Sequence, residues 1–266
     1  MDASQIAATG SQVVTSIAAY VGIKELMPKL LGPTVEYLGT EAKSYTEQGL
    51  KNLKRIFTKA AARVPDLEQP GRVSPRVLKE ILDEGYFCED ELAAEYFGGV
   101  LASSRSRVSR DDRGATFVKL VSSLSAYQLR LHHIYYATLR RRHLGTLANI
   151  QDVRPRETVF RTFISVKGLG DGFDLQPSEN FETLLRHSVI GLNRQGLLWD
   201  DYAWGNPEHL NMINNFSTTE AGLIATPTLL GVELYLWAYG KGDVSLNKFF
   251  SPDLKLPLLP GVTYPS

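Results

Sequence analysis

The histidines are the first residues to test for chemistry. Five are present, and only His132 and His133 are neighbours. Successive residues of a helix point about 100° apart, whereas a helical metal pair needs i, i+4 spacing. The pair therefore predicts a buried, hydrogen-bonded imidazole rather than a metal site. His143, His187 and His209 stand alone. The single cysteine, Cys88, excludes an intrachain disulfide and a cysteine zinc cage. It precedes Glu89, Asp90 and Glu91 at an expected helix start. The helix dipole lowers a thiol pKa there, the acids raise it, and no histidine lies near in sequence to activate it. A quiet, partly buried thiol is expected. Gly168-Leu169-Gly170-Asp171-Gly172 looks like a fragment of a phosphate loop, but its third glycine is misplaced and Pro177 follows shortly. A glycine turn is the expectation. No P-loop pattern occurs, and no spacing rule selects a catalytic pair among the acids of residues 80–95. No catalytic, metal-ligating or cofactor-binding residue is therefore assigned, and no cofactor is implied.

Charge patterning says more. The 266 residues sum to no formal net charge, which argues against a whole-protein polyanion binder. Locally the balance breaks. From Glu80 to Glu95 there are seven acids and no bases; from Arg105 to His143 there are nine bases against Asp111 and Asp112. The bland expectation is two solvated helical faces that partly neutralise each other. The functional one is a basic interaction patch of Arg105, Arg107, Arg110, Arg113, Arg130, Arg140, Arg141 and Arg142, for phosphate or for electrostatic subunit pairing.

The elements that would position these residues are mostly helical. A length of 266 residues with 43% hydrophobic content suits one large or two small domains with a real core. The spacing divides the chain into a helical segment over 1–64, a central helical region over 72–145, a winged-helix-like region over 146–249 and an extended proline-rich tail over 250–266. In the first segment Leu50, Leu53, Ile56, Phe57, Ala60 and Ala61 form an apolar stripe. Ser74-Pro75 opens the next helix, with Val77, Leu78, Ile81 and Leu82 as its buried face. Acids at 89–91 start another, and Ser125 with Gln128 forms a capping box for a helix ending in Arg140-Arg141-Arg142. Residues 156–166 do not separate strand from helix. Residues 180–195 are an apolar helix, followed by a strand through Trp199–Trp204, a loop, a second strand near 211–222 and a helix from Ala225 to Trp237. That order is winged-helix-like. Its proposed wing, residues 203–210, carries no lysine or arginine, which favours packing or dimerisation over DNA binding.

The first charges are Asp2 and Lys24, so a secretory leader is not expected. Residues 4–23 are long enough to cross a bilayer but are diluted by polar residues. A packed or oligomerising helix is the first expectation and membrane contact the second. A cytoplasmic location, with membrane association as a variant, is the default for a lone thiol.

The run from Pro75 through Leu78, Ile81 and Leu82, then Asp90-Glu91-Leu92, Phe97 and Leu101-Ala102-Ser103, resembles the Abi-alpha group of abortive-infection proteins. Leu124-Ser125 and the upstream helix from Leu26 to Ala62, with Pro33 and Gly39, also fit. The resemblance spans about 26–145, with an echo to about 235. Gly98-Gly99 departs from the group, where an asparagine is usual before the leucine. The resemblance implies a bacterial antiphage protein acting through self-association, another protein or membrane contact, and it brings no catalytic residues. The alternative is a winged-helix nucleic-acid-binding regulator.

Overall fold

The computed structural model describes residues 26–37, 46–108, 110–213, 216–260 and 262. The chain is mostly α-helical with one small three-stranded antiparallel sheet. It divides into two compact units. One holds the residues up to Ser123 with Trp237–Asp243; the other holds Leu124–Leu236 with Val244–Ser266. The boundary therefore falls before the helix at 126–142, not after it, because that helix is the pillar of the second unit. The tail belongs to the second unit as well.

The first unit contains α1 (Leu26–Leu31) running into a 3-10 turn (Gly32–Tyr37), then α2 (Glu47–Arg63), α3 (Pro75–Gly85), α4 (Glu91–Ser103) and α5 (Arg113–Ser122). Helix α4 is its centre. Ten consecutive residues from Ala94 to Ser103 are buried, so this helix is covered all round rather than on one face. Asp90 caps it by accepting from the Ala93 N–H at 2.9 Å. Helix α2 lays its stripe of Leu53, Ile56, Phe57, Ala60 and Ala61 along α4. Gly98 and Gly99 make the close approach possible. A Cβ at Gly98 would lie 3.1 Å from the Ile56 carbonyl oxygen, and one at Gly99 only 1.9 Å from the Ala238 carbonyl oxygen. Helix α3 starts at Pro75 as expected, but Ser74 makes no side-chain capping bond. Proline at the first helical position lacks only an N–H that the helix would leave unpaired.

The second unit is built on α6 (Ala126–Arg142). It continues through α7 (Val153–Thr158), β1 (Thr162–Ser165), α8 (Val166–Phe173), α9 (Phe181–Arg194), β2 (Ala203–Gly205), α10 (Pro207–Leu210), β3 (Gly222–Ala225) and α11 (Leu229–Ala238), whose last two residues belong to the first unit, to a 3-10 turn (Leu246–Lys248). The capping box forms: Ser125 Oγ accepts from the Gln128 N–H, and the Gln128 side chain accepts from the Ser125 N–H. Helices α8 and α9 and strand β1 pack on α6. Two buried tyrosines of α6 tie the layers together. The Tyr135 hydroxyl donates to the Ala225 carbonyl at 2.7 Å, and the Tyr136 hydroxyl donates to the Leu197 carbonyl at 2.7 Å. The sheet order is β1–β3–β2, both pairs antiparallel, with Ile224 opposite Phe163 on one side and Ala203 on the other. Strand β3 is central, and all four of its residues are buried.

Three sequence expectations change. The glycine turn at 168–172 lies inside helix α8, capped by Ser165 and carried by the buried Leu169 and Phe173. The second strand lies at 222–225 rather than near 211–222, and a short helix occupies 207–210. The following helix begins at Leu229, not Ala225, because residues 222–225 are paired on both sides and Pro227 cannot donate within a helix. Among the described residues no helix is long and apolar enough to cross a membrane, and residues 4–23 lie outside them.

Candidate interaction surfaces

The residues with chemical potential are mostly built into the fold. His132 and His133 are fully buried on α6. The His132 Nε2 lies 3.1 Å from the Gly231 carbonyl, and His133 stacks on Tyr235 with centroids 5.3 Å apart. Burial pushes both imidazoles down to about 3, and the neighbouring His132 adds to the effect on His133. Both are neutral in the folded protein at ordinary pH. Among the described residues no group of three His, Cys, Asp or Glu side chains is placed to hold a metal ion. Cys88 is buried, and burial pushes its thiol up to about 11 against the opposing charge of Arg55. A thiol held protonated is a poor nucleophile. Ser125 Oγ lies 3.2 Å from His187 Nε2, but the same hydroxyl caps α6. Among the described residues no carboxylate is hydrogen-bonded to His187, so the third member of a hydrolytic triad is missing.

Four acids of the acidic block are paired internally. Glu95, 4% exposed, pairs with Lys59 and Arg63, while Glu91 pairs with Lys59 and, at 3.5 Å, with Arg55. Glu80 pairs with Lys119 at 3.2 Å and Asp83 with Lys79 at 2.5 Å. The Lys59–Arg63 and Glu91–Glu95 pairs are each spaced i, i+4, so each presents two like charges on one helix face. That spacing was the sequence signal for a network between α2 and α4.

The eight candidate arginines are divided between the two units. Arg105, Arg107, Arg110 and Arg113 belong to the first unit, and Arg130, Arg140, Arg141 and Arg142 to the second. Arg105 donates to the Lys29 carbonyl at 3.0 and 3.1 Å and to the Leu67 carbonyl at 3.3 Å, clasping helix α1 to the loop after α2. Arg113 pairs with Asp111 and Asp243, at 2.9 and 3.0 Å, and lies over the Trp237 ring. Arg140 donates to the carbonyls of Phe249, Ser251 and Leu254, which straps the tail to the end of α6. Arg107, Arg110, Arg141 and Arg142 are exposed.

Further surface chemistry lies on the second unit. Helix α9 is capped by Asn180, which accepts from the Thr183 N–H at 2.9 Å. It buries Leu185, Ser188, Val189 and Leu192, and exposes Glu182, Thr183, Arg186, His187, Ile190 and Arg194. The loop between β2 and β3 contains Glu208 and Glu220 but no lysine or arginine, and it exposes Met212 at 79%. Between α9 and the β2–β3 pair lies a cleft of about 410 Å³, lined by Val166, Phe181, Glu182, Leu185, Trp204, Gly205, Ala221 and Gly222. Its single charged lining residue is an acid. Compared with protein-family models, curated proteins and solved structures, the chain matches none.

Proposed function

We propose that this chain is an antiphage defence protein of the abortive-infection type that acts through protein contact, with its sheet unit serving as a winged-helix docking module. The observation that carries the docking role is the character of the face between α9 and the β2–β3 pair. A nucleic-acid reader needs cations there, because phosphate neutralisation dominates affinity. This face offers apolar side chains, one carboxylate and a loop free of lysine and arginine. The winged-helix reading is supported by the order α6, β1, α8, α9, β2, β3, with the short helices α7 and α10 inserted before β1 and after β2, together with the antiparallel sheet order β1–β3–β2. The defence reading is supported by the resembling residues. Pro75 opens α3, Asp90 caps α4, and Leu101-Ala102-Ser103 closes α4. The partner is a second copy of this chain or another protein, with residues 4–23 as a membrane-contact segment in a variant of the same reading.

The test is plaque efficiency and culture survival in bacteria that express the chain. The expected result is fewer plaques, with culture collapse at high phage dose. Ile190→Asp, on the exposed face of α9, removes protection while leaving the helical circular dichroism spectrum intact. Unchanged plaque counts across a broad phage panel refute the defence reading, and full protection by Ile190→Asp refutes docking through α9. Deleting residues 1–24 separates a membrane-contact effector from docking alone.

The alternative, a nucleic-acid-binding regulator, is favoured by the same strand order and by exposed Lys167, Arg186 and Arg194. Three cations limit the salt dependence to a log–log slope of about −3 on duplex DNA. A steeper slope, abolished by Arg186→Ala, would displace the docking reading.

A further inference from the structure

The cleft beside α9 has the size and lining of a small-molecule site. Its volume of about 410 Å³ lies within the range of ligand pockets, roughly 300–1,000 Å³. It is assembled from separate parts of one unit. Val166 comes from the first turn of α8, Phe181, Glu182 and Leu185 from α9, Trp204 and Gly205 from β2, and Ala221 and Gly222 from the start of β3. Two of these are aromatic and both are braced from behind. Trp204 stacks on Tyr202 with centroids 5.8 Å apart and an angle of 14°, and Phe181 meets Phe173 edge-on at 5.9 Å and 76°. Gly205 adopts φ 154°, which a residue with a Cβ rarely adopts, and a Cβ there would lie 3.2 Å from the His209 ring.

The electrostatics select one class of ligand. The walls are apolar, the ring faces carry negative quadrupoles, and the lone charge is the exposed carboxylate of Glu182. Among the lining side chains an anion would meet a carboxylate and no cation. A neutral polar molecule would lose water to apolar walls. A cation on an apolar body meets both requirements, because its charge faces Glu182 and the rings while its body fills the cleft. We propose that this cleft binds lipophilic monocations, an apolar body carrying a quaternary or protonated amine. The proposal does not depend on the defence reading, since it is tested on the purified full chain.

The probe is benzyltrimethylammonium, compared with the neutral N,N-dimethylbenzamide and with benzoate. Binding is followed by NMR through the Trp204 indole N–H, assigned by its loss in Trp204→Phe. The cation is expected to shift this signal saturably, about fivefold more tightly than the amide, with benzoate inert. Glu182→Gln, at an exposed position, weakens cation binding about fivefold and leaves the amide unaffected. Val166→Trp fills the cleft from its rim and abolishes binding of both. Equal affinity for cation and amide overturns the proposal in favour of a pocket for an apolar side chain of a protein partner. No saturable shift up to about 10 mM also overturns it, as does indifference to Glu182→Gln.

Discussion

Lowering the pH from 7 to 5 removes a substantial share of the stability of the unit built on α6, and the histidine pair supplies the reason. His132 and His133 hold folded-state values of about 3 because burial penalises the imidazolium. In the unfolded chain a histidine titrates near 6.5, so between those values the unfolded state binds more protons than the folded one. Stability is therefore full above about pH 6.5 and falls as pH drops towards 3. Linkage gives about 2 kcal/mol lost per histidine between pH 7 and pH 5, or about 4 kcal/mol for the pair. That is a large part of the ordinary 5–15 kcal/mol of a folded protein. Near pH 5 the slope approaches two protons, about 2.7 kcal/mol per pH unit. His143, lowered by partial burial and by Arg142, adds in the same direction. The assay is urea unfolding by circular dichroism at half-unit intervals from pH 7.5 to 4.5. His133→Phe keeps an aromatic ring against Tyr235 and removes one titrating group, so it halves the slope near pH 5. A wild-type slope below one proton between pH 6 and 5, or a slope unchanged in His133→Phe, refutes the argument.

Three further outcomes follow from the same structure. Glu95→Ala leaves Lys59 and Arg63 without their buried partner and costs about 3–5 kcal/mol in thermal or urea unfolding. Cys88, with its thiol pushed up to about 11, reacts with a thiol reagent at pH 8 far more slowly in the folded chain than in urea; equal rates would contradict its burial. Arg140→Lys loses the fork that reaches the carbonyls of Phe249, Ser251 and Leu254. Hydrogen exchange at residues 249–254 then rises at least tenfold, corresponding to about 1.5 kcal/mol of local protection, while α4 is unaffected.

Much of the helical architecture is legible because it rests on local rules. The capping box at Ser125, the Asp90 cap and the proline at the head of α3 need only neighbouring residues to act. Helix α8 is the counter-example. Three glycines in five residues argue against a helix by propensity, yet Leu169 and Phe173 are buried one turn apart and Ser165 caps the start. Strand β3 is similar. A run of small and apolar residues before Pro227 carries no period that separates strand from helix, and pairing with β1 and β2 decides it. Among the candidate residues, the buried histidines and quiet thiol follow from type and spacing. The dispersal of the arginines does not, because nothing in a count of charges reveals that Arg105 and Arg140 spend their donors on backbone carbonyls.

The sequence by itself determined the class: mostly helical, long enough for a real core, with opposed acidic and basic blocks and no catalytic or metal-binding pattern. These depend on composition and on contacts within a few residues. The tertiary structure alone decided what the charges do and where an open surface remains. Pairing of α2 with α4 neutralises Glu91 and Glu95 at long sequence separation. The meeting of α8, α9, β2 and β3 leaves a cleft whose aromatic walls come from α9 and β2 and whose single carboxylate comes from α9. Burial and pairing are properties of neighbours in space, and a linear pattern records only neighbours along the chain.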